Sequence, residues 1–590
     1  MDIKPDGKTV SQVDDDGMPK RTGSALTATT HIITVVVGAG VLALPWAMAQ
    51  LGWIGGVGVM VTFSCISIFT YNLIADCYRY PHPISGTRNY TYMQAVKSYL
   101  GGRMHLACGF VQYSKLAGIT VGYTITTSTS LVAIKKAGCF HRKGHQAYCK
   151  FSNNPFMAAF GALQIFLSQI PNFHELTWLS TIACITSFGY ALIGSALSLA
   201  VLIQGQGRPT SVTGVEVGPD LSEEDKMWRI FSAMGNIALA CSYATVVFDI
   251  MDTLKSSPPE CKQMKKANVL GITAMTSLFL ACGGLGYAAF GDKTPGNLLT
   301  GFGFYDPFWL VDIGNICIVI HMLGAYQLMA QAFFLIVELG AKMMWPKSDF
   351  VHKEYPCRIG NVTLNLNMFR LVWRTVFVMI ATTLAMAMPF FNEFLALLGA
   401  IGFWPLIVFF PVQMHIAQRQ IKTLSLKWCA LQLLSFVCFL VSLAAAVGAI
   451  HGISHNLSKY KPSCLNNSRA AVSEQIILLN VKHQLGDPPS LRSWTSSSSP
   501  CDWPEIRCAH GVVTQLLLSG KGVSRKLPPA ICDLKNLTVL DLSNNNIRGE
   551  FPRFLYNCSN LQFLALSQNY FAGPVPDDID RLKNSNVLRP

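Results

Sequence analysis

Charged side chains are scarce in this chain. They make up 13% of the 590 residues, whereas hydrophobic residues make up 51%. Soluble globular domains carry about 25% charged residues. The mean hydropathy is +0.35 over the whole chain, so the apolar residues are not confined to one small core. This composition excludes an ordinary soluble protein and indicates that a lipid bilayer is the solvent for most of the chain.

Acidic side chains are fewer than basic ones, with 32 Asp and Glu against 46 Lys and Arg, and the formal net charge is +14. The basic residues lie mainly in loops between apolar runs and form no patch interleaved with aromatics, which argues against a nucleic-acid partner. The sequence also lacks a nucleophile elbow, a phosphate loop and a metal-spaced cluster. We therefore expect no enzyme activity, no metal and no cofactor.

Apolar runs long enough to cross a bilayer recur along the first three quarters of the chain. Each transmembrane helix needs about 20 largely apolar residues, and a helix satisfies its own backbone hydrogen bonds in lipid. The pattern predicts an all-α transmembrane domain at residues 24–455 with about eleven segments. Their predicted bounds are 24–50, 53–76, 105–134, 155–171, 177–204, 228–254, 267–290, 308–341, 368–388, 390–418 and 428–453. The polar residues 1–23 are predicted to be a cytoplasmic tail without a cleavable signal peptide.

Lysines and arginines predict the orientation, because cytoplasmic loops carry an excess of both. The bias places the N-terminus inside, and an odd number of spans then places everything after residue 453 outside. One predicted outer loop, 135–150, is nevertheless basic, and it contains Cys139 and Cys149. An external loop allows these two cysteines to form a disulfide; the alternative is two free thiols.

The first apolar segment, HIITVVVGAGVLALPWAMAQLGW, contains Gly38, Ala39 and Gly40 in mid-span, and Pro45 follows. Glycine weakens helices, and proline removes a backbone donor. An unwound turn here would expose amides at a half-helix N-terminus, where the dipole favours an anion such as a substrate carboxylate. The alternative is close helix packing through small residues.

The sixth segment carries a second weak point, the small and polar residues Cys241, Ser242 and Tyr243, and Asp249 and Asp252 follow them. Segments 1 and 6 hold matching positions if the first ten segments form two halves of five. Interruptions at matching positions indicate a transporter binding site. We therefore expect the two interruptions to form one site.

Several longer stretches share a specific pattern: Gln50-Leu51-Gly52-Trp53, RNYTYMQAV (88–96), GYAAFGDKTPGNLLTGFGFY (286–305), LVWRT (371–375), GFWPL (402–406) and Tyr460-Lys461-Pro462. Residues from about 22 to 462 resemble the plant amino acid permeases of the amino acid/auxin permease family. The resemblance implies the five-plus-five inverted repeat of the amino acid-polyamine-organocation superfamily and proton-driven amino acid import across the plasma membrane.

The same resemblance implies roles for individual residues. The backbone at Gly38-Ala39-Gly40 would bind the substrate carboxylate. The substrate amino group and side chain would contact the region of Cys241, Ser242 and Tyr243. Tyr123 on the third segment is a further residue expected to line the site.

Five ionisable residues within or near the membrane segments are candidates for proton coupling, because such residues are costly in lipid unless they serve a function. They are His31, His321, Asp249, Asp252 and Lys115. Each histidine is alternatively a neutral side chain hydrogen-bonded between helices, and the aspartates alternatively form an inner-gate ion pair. Lys115 departs from the permeases, which tend to have an uncharged residue there. It would favour an acidic substrate side chain or impair transport.

The tail differs in composition from the rest. After a linker at 456–472, a 24-residue repeat runs through 512–582, and residues 583–590 end the chain. Leu537, Leu540, Leu542, Asn545, Ile547, Gly549 and Pro552 recur as Leu561, Leu564, Leu566, Asn569, Phe571, Gly573 and Pro576. This is the leucine-rich-repeat pattern, which predicts a short α/β solenoid of about three repeats. In a weaker first copy, Lys521 stands where asparagine is expected.

Residues 473–511 resemble the N-terminal cap of plant receptor-kinase ectodomains, and the resemblance implies a disulfide between Cys501 and Cys508. An oxidising compartment agrees with a tail outside the cell. The tail also contains four glycosylation sequons, at Asn456, Asn466, Asn536 and Asn557. The tail is interpreted either as an incidental fusion or as a sensor that binds an extracellular ligand or co-receptor.

The leading hypothesis is therefore a proton-coupled amino acid importer. A carrier of another small carboxylate such as auxin is the first alternative. A leucine-rich-repeat surface receptor that uses its helices as an anchor is the second, although eleven spans are far more than an anchor needs.

Overall fold

Helices dominate residues 25–459 in the computed structural model. Their bounds are α1 (Ala25–Val36), α2 (Gly40–Asp76), α3 (Tyr92–Leu100), α4 (Gly102–Lys143), α5 (Asn154–Ser168), α6 (Thr177–Ile203), α7 (Glu223–Ala240), α8 (Val247–Asp252), α9 (Glu260–Phe290), α10 (Phe308–Met344), α11 (Asp349–His352), α12 (Met368–Ala387), α13 (Phe391–Gly402), α14 (Phe410–Arg419) and α15 (Leu426–Lys459). A π-helical stretch, Phe403–Phe409, joins α13 to α14. The structure describes residues 14, 16–18, 20–38, 40–143, 149, 151–170, 177–218, 221–302, 308–359, 362–459, 467–495, 499–509, 512–558, 560–573, 576 and 587–589.

Within these described residues, eight helical stretches are long and apolar enough to cross a membrane. They correspond to predicted segments 2, 3, 5 and 7–11. The other three segments are shorter or interrupted. Segment 1 is divided between α1 and the start of α2, segment 4 is the 15-residue α5, and segment 6 is interrupted between α7 and α8. The prediction of eleven segments is therefore confirmed in part: eight are full-length helices, and segments 1 and 6 lose helical structure in mid-course.

The long helix α2 bends sharply at Gly52, where the backbone has φ +73° and ψ −179°. The connection between α6 and α7 packs over this bend, and the Ile54 amide donates to the Val212 carbonyl at 3.3 Å. A side chain at Gly52 would overlap the backbone of Val212 and Gly214. Only glycine satisfies both the positive φ and the lack of space. The bend is the turn between predicted segments 1 and 2.

The interrupted segments lie at the centre of the helical unit, Met1–Ser458. Helix α2 packs against α9 and α7, α4 packs against α10, and α13 packs against α7. The crossing of α7 and α13 is close, because a Cβ on Gly235 would lie 2.5 Å from the Ala396 carbonyl oxygen. Small residues allow such close approach between membrane helices. This crossing fixes the end of α7 against α13 and so positions the interruption of segment 6.

Two short hairpins connect helices of this unit. Strands β1 (Arg79–Tyr80) and β2 (Thr87–Arg88) pair antiparallel between α2 and α3. Strands β3 (Glu354–Ile359) and β4 (Val362–Asn367) pair antiparallel between α11 and α12.

The second unit, Lys459–Pro590, contains a small sheet. Its elements are α16 (Asn467–Gln484), β5 (Ile506–Ala509), β6 (Val512–Leu517), β7 (Val539–Asp541), β8 (Arg548–Gly549), β9 (Phe563–Ala565), β10 (Tyr570–Phe571) and β11 (Val587–Arg589). The main sheet has the order β11-β9-β7-β6-β5, and its strands are parallel except for the β5–β6 pair. Gln515 pairs with Val539 and Val539 with Phe563, so the register repeats every 24 residues as the sequence predicts.

The repeat asparagines stabilise the turns of this solenoid. The Asn545 side chain donates to the Leu518 carbonyl at 2.7 Å and accepts from the Val523 amide at 3.0 Å. Asn569 repeats the pattern, donating to the Leu542 carbonyl at 2.8 Å. Each asparagine therefore satisfies buried backbone groups that the short strands leave unpaired.

Three disulfides join cysteines that the structure describes. One joins Cys139 to Cys149, so the structure has a disulfide here rather than two free thiols. The second joins Cys501 to Cys508 in the cap. The third joins Cys532 to Cys558 and was not predicted. The sequence contains an indication of this disulfide. Each cysteine comes shortly before the first leucine of its repeat, Leu537 or Leu561, so the two cysteines hold similar positions in neighbouring repeats.

Candidate functional site: a cavity between two interrupted helices

A cavity of about 70 Å³ lies between the interruptions of segments 1 and 6. Residues of α1, α2, α4, α7, α10 and α13 line it: Val35, Val36, Gly38, Gly40, Lys115, Ile119, Tyr123, Leu239, Ala240, Ser242, Thr245, Met329, Leu395 and Leu398. Most of the lining is apolar, and a few polar groups converge on it, which is the usual composition of a small-molecule site. The interruptions of segments 1 and 6 therefore border the same cavity.

The glycines of segment 1 differ in what surrounds them. Helix α1 ends at Val36, and α2 begins at Gly40. A Cβ on Gly38 would have no atom within 4 Å, whereas a Cβ on Gly40 would lie 3.3 Å from Ala240 Cα. Gly40 thus serves close packing against α7, and Gly38 leaves space in the cavity. Ala39 lies outside the described residues.

The three residues predicted in segment 6 divide between two cavities, since Cys241 and Tyr243 both line a second, smaller one. Only Ser242 lines the main cavity. Tyr243 is buried on the opposite side, where its hydroxyl donates to Asn268 Oδ1 at 2.7 Å and its ring stacks on Tyr71 at 3.9 Å. Cys241 lines a separate small cavity beside Ser64. The side chains of Cys241 and Tyr243 therefore lie away from this cavity, and the predicted substrate contacts around these three residues stay a prediction.

Lys115 is the charged residue of the cavity lining. Its side chain is 3% exposed, and its Nζ donates to Ser242 Oγ at 2.6 Å. Lys115, Ile119 and Tyr123 follow one face of α4, since residues four apart are neighbours on a helix. Tyr123 lines this cavity, and its part in substrate binding stays a prediction. Thr245 and Met329 also line the cavity and were not predicted, because the sequence around them carries no distinguishing pattern.

The family described as "Transmembrane amino acid transporter protein" matches residues 21–454. The chain belongs to this transporter family. Two further families match the tail: "Leucine rich repeat N-terminal domain" at residues 473–509 and "Leucine Rich Repeat" at residues 536–558.

Among its relatives, this transporter is 52% identical over 454 residues to amino acid permease 8 of Arabidopsis thaliana, covering 77% of this chain and 96% of that protein. It is also 52% identical over 462 residues to amino acid permease 1 of the same organism, covering 78% and 95%. Among solved structures, the inward-facing conformation of Mhp1 matches with 11% identity, a TM-score of 0.42, and coverage of 74% of this chain and 91% of that chain. The resemblance to plant amino acid permeases is thus confirmed, and the protein is a multi-pass membrane transporter rather than an enzyme.

The two histidines that are candidates for proton coupling have different surroundings. His321 on α10 is buried, and its Nδ1 lies 2.8 Å from Ser187 Oγ and 3.0 Å from the Ala183 carbonyl oxygen, both on α6. His31 lies on the exposed face of α1. Neither histidine lines the cavity. Both stay candidates for proton coupling, and neither would act by direct contact with a molecule in the cavity.

The two aspartates are also separated from the cavity. Asp249 on α8 is exposed. Asp252, at the end of α8, accepts from Arg21 Nη2 at 2.7 Å and from the Tyr78 hydroxyl at 2.9 Å. Asp252 thus belongs to an ion pair at the end of the interrupted segment 6, which is one of the two roles considered for it.

A network of charges surrounds this ion pair, and we call it the inner charge network: Asp14, Asp16, Arg21, Arg79, Arg88, Asp252 and Glu260. Arg21 also pairs with Asp16 at 2.9 Å, and this contact holds the pKa of Asp16 well below its usual range. Arg88 joins Asp16 at 2.7 Å to Glu260 at 2.9 Å. The network therefore ties the segment before α1 to the β1–β2 hairpin and to the start of α9.

Proposed function

We propose that this transporter imports amino acids across the plasma membrane and that a proton gradient drives the import. The observation that carries the proposal is that the interruptions of segments 1 and 6 meet at one cavity, through Gly38 and Ser242. Paired interruptions of this kind supply backbone groups for substrate binding near the middle of the membrane. The 52% identity to amino acid permeases supports the choice of an amino acid as the substrate.

The backbone at the interruptions suits the two charged ends of an amino acid. The first amides of α2, from Gly40 onward, lie at a helix N-terminus and favour the α-carboxylate. The last carbonyls of α7, near Leu239 and Ala240, lie at a helix C-terminus and favour the α-ammonium. Tyr123 adds a side-chain hydroxyl to the same wall. We infer that the substrate lies between the two half-helices.

For the coupling proton we keep the intramembrane candidates of the sequence. His321 is supported by its burial between α6 and α10, since histidine titrates nearest to neutral pH and buried ionisable residues in membranes tend to be functional. The Ser187 hydroxyl donates to the Ala183 carbonyl at 2.6 Å, so the Nδ1–H of neutral His321 is the donor to these oxygens. Protonation at Nε2 would keep these contacts and add a positive charge between α6 and α10.

The test is uptake of labelled amino acids by a transport-deficient cell that expresses the full chain at its surface. We expect uptake at an external pH of about 5.5 that falls at least fivefold when a protonophore abolishes the gradient. Labelled auxin, given in parallel, tests the alternative substrate. Absence of amino acid uptake by chain present at the surface would reject the proposal, and auxin uptake alone would replace it.

The orientation with the second unit outside the cell is part of the proposal, and glycosylation tests it. Asn536 and Asn557 are exposed. Asn456 instead lies within α15, and its side-chain amide donates to Glu393 Oε1 at 2.9 Å. This hydrogen bond makes the amide less available for attachment of a glycan. Asn466 lies outside the described residues. We expect N536Q and N557Q each to remove one glycosidase-sensitive mobility shift and N456Q to remove none. Absence of any glycan on the wild-type tail would contradict the orientation.

A further inference from the structure

We propose that Lys115 makes this transporter selective for amino acids that carry a second carboxylate, such as glutamate and aspartate. The inference rests on the proposed function, because it takes the cavity as the substrate site. It adds a chemical class of substrate and assigns the selection to one side chain.

The first support is the position of the ammonium. Lys115 extends from α4 across the cavity to Ser242, which is the residue of segment 6 that lines the cavity. The substrate must lie between these same elements. A cation that crosses the site is therefore within reach of any bound substrate.

The second support is the space that the fold leaves for this side chain. Gly402, the last residue of α13, faces Lys115, and a Cβ there would lie 2.9 Å from Lys115 Cδ and 3.0 Å from Lys115 Nζ. Any larger residue at position 402 would press on the lysine stem. The lysine consequently has a defined place in the packing and is held in the cavity wall.

The third support is the charge balance. Among the residues that the structure describes, no carboxylate lies within 4.0 Å of Lys115 Nζ, and its hydrogen-bond partner is the neutral Ser242 hydroxyl. A buried charge without a counter-ion costs several kcal/mol in free energy. A substrate carboxylate would remove this cost on binding. The binding free energy is therefore more favourable for a substrate that brings a carboxylate to Nζ than for one that does not.

The charge also selects among amino acids. A neutral amino acid brings its own α-ammonium into the cavity beside Lys115, and like charges in a site of low dielectric repel. An amino acid with a second carboxylate offsets this repulsion by pairing with Nζ. Glutamate and glutamine have nearly the same shape, so their comparison isolates the charge.

The experiment measures uptake of glutamate and glutamine by the full chain and by Lys115→Asn and Lys115→Met, with Lys136→Asn as the matched control. Lys136 lies on the same helix and is exposed. We expect the wild type and the control to show kcat/KM at least tenfold higher for glutamate. Both Lys115 variants should lose that preference, because the KM for glutamate should rise at least tenfold more than the KM for glutamine.

Two outcomes would overturn the proposal. An unchanged ratio in both Lys115 variants would show that the ammonium does not select the substrate. An equal loss for glutamate and glutamine would show that Lys115 binds the α-carboxylate common to both.

Thermal stabilisation of the purified full chain separates this inference from the proposed function. Glutamate should raise the Tm of the wild type more than glutamine does, and the difference should vanish in Lys115→Asn. Selective stabilisation without uptake would uphold the binding role of Lys115 and reject import. Uptake with equal stabilisation and equal kinetics for both amino acids would uphold import and reject selection.

Discussion

Replacing Gly38 with valine is expected to abolish amino acid uptake while the protein still reaches the membrane. Gly38 lines the cavity, and a Cβ there would meet no atom within 4 Å. The structure therefore has room for the new side chain, and under the proposed function that room is the space of the substrate. Three added carbons in a cavity of about 70 Å³ leave too little volume for an amino acid. We expect uptake to fall at least tenfold, equivalent to about 1.4 kcal/mol in binding.

The matched control is Gly58→Val. Gly58 lies on the exposed side of α2, and its Cβ position is also open. The same substitution there should leave uptake near the wild-type level. Gly40→Val is a poorer test, because its side chain would press on Ala240 and disturb the packing of α2 against α7. Wild-type kinetics in Gly38→Val would show that this glycine does not border the substrate.

Replacing Glu260 with glutamine is expected to lower the free energy of unfolding more than any other substitution considered for this protein. Glu260 is 2% exposed and pairs with Arg79 at 2.7 Å and Arg88 at 2.9 Å. Removing its charge leaves two buried guanidinium groups without this shared counter-ion. Breaking a buried ion pair costs about 3–5 kcal/mol in the free energy of unfolding. The measurements are the Tm of the purified protein in detergent and the fraction of chain that reaches the cell surface.

Lys265→Gln is the matched control on the same helix. Lys265 pairs with Asp76 at 2.7 Å, but its side chain is 39% exposed, so water screens the pair. Exposed pairs contribute at most about 1 kcal/mol. The Tm should therefore fall much further in Glu260→Gln than in Lys265→Gln. Equal shifts would mean that the inner charge network is solvated and contributes little to stability.

Local sequence patterns predicted those parts of the fold that depend on local chemistry. The Gly-Ala-Gly run predicted the end of α1 near Gly38, since glycine weakens a helix wherever it occurs. The 24-residue period predicted the spacing of the paired strands, because each repeat builds the same unit. The asymmetry of lysine and arginine predicted an orientation, which stays a prediction.

Features that depend on distant residues could not be predicted. Lys115 and Ser242 are 127 positions apart, and their hydrogen bond exists only because α4 and α7 pack around one cavity. The opposite directions of Ser242 and Tyr243 follow from the backbone path of the unwound turn, to which composition gives no guide. The sequence pattern likewise did not predict the π-helical stretch at Phe403–Phe409.

The distribution of cysteines has a consequence for how the chain matures. All six cysteines in disulfides lie in the 135–150 loop or in the second unit, and the ten cysteines described as free lie in or beside the membrane helices. In the proposed orientation, the bonded cysteines meet the lumen of the endoplasmic reticulum during synthesis. Lipid keeps most of the remaining thiols away from the lumenal oxidases. Insertion into the membrane therefore limits oxidation of these described helix cysteines while the described pairs form in the lumen.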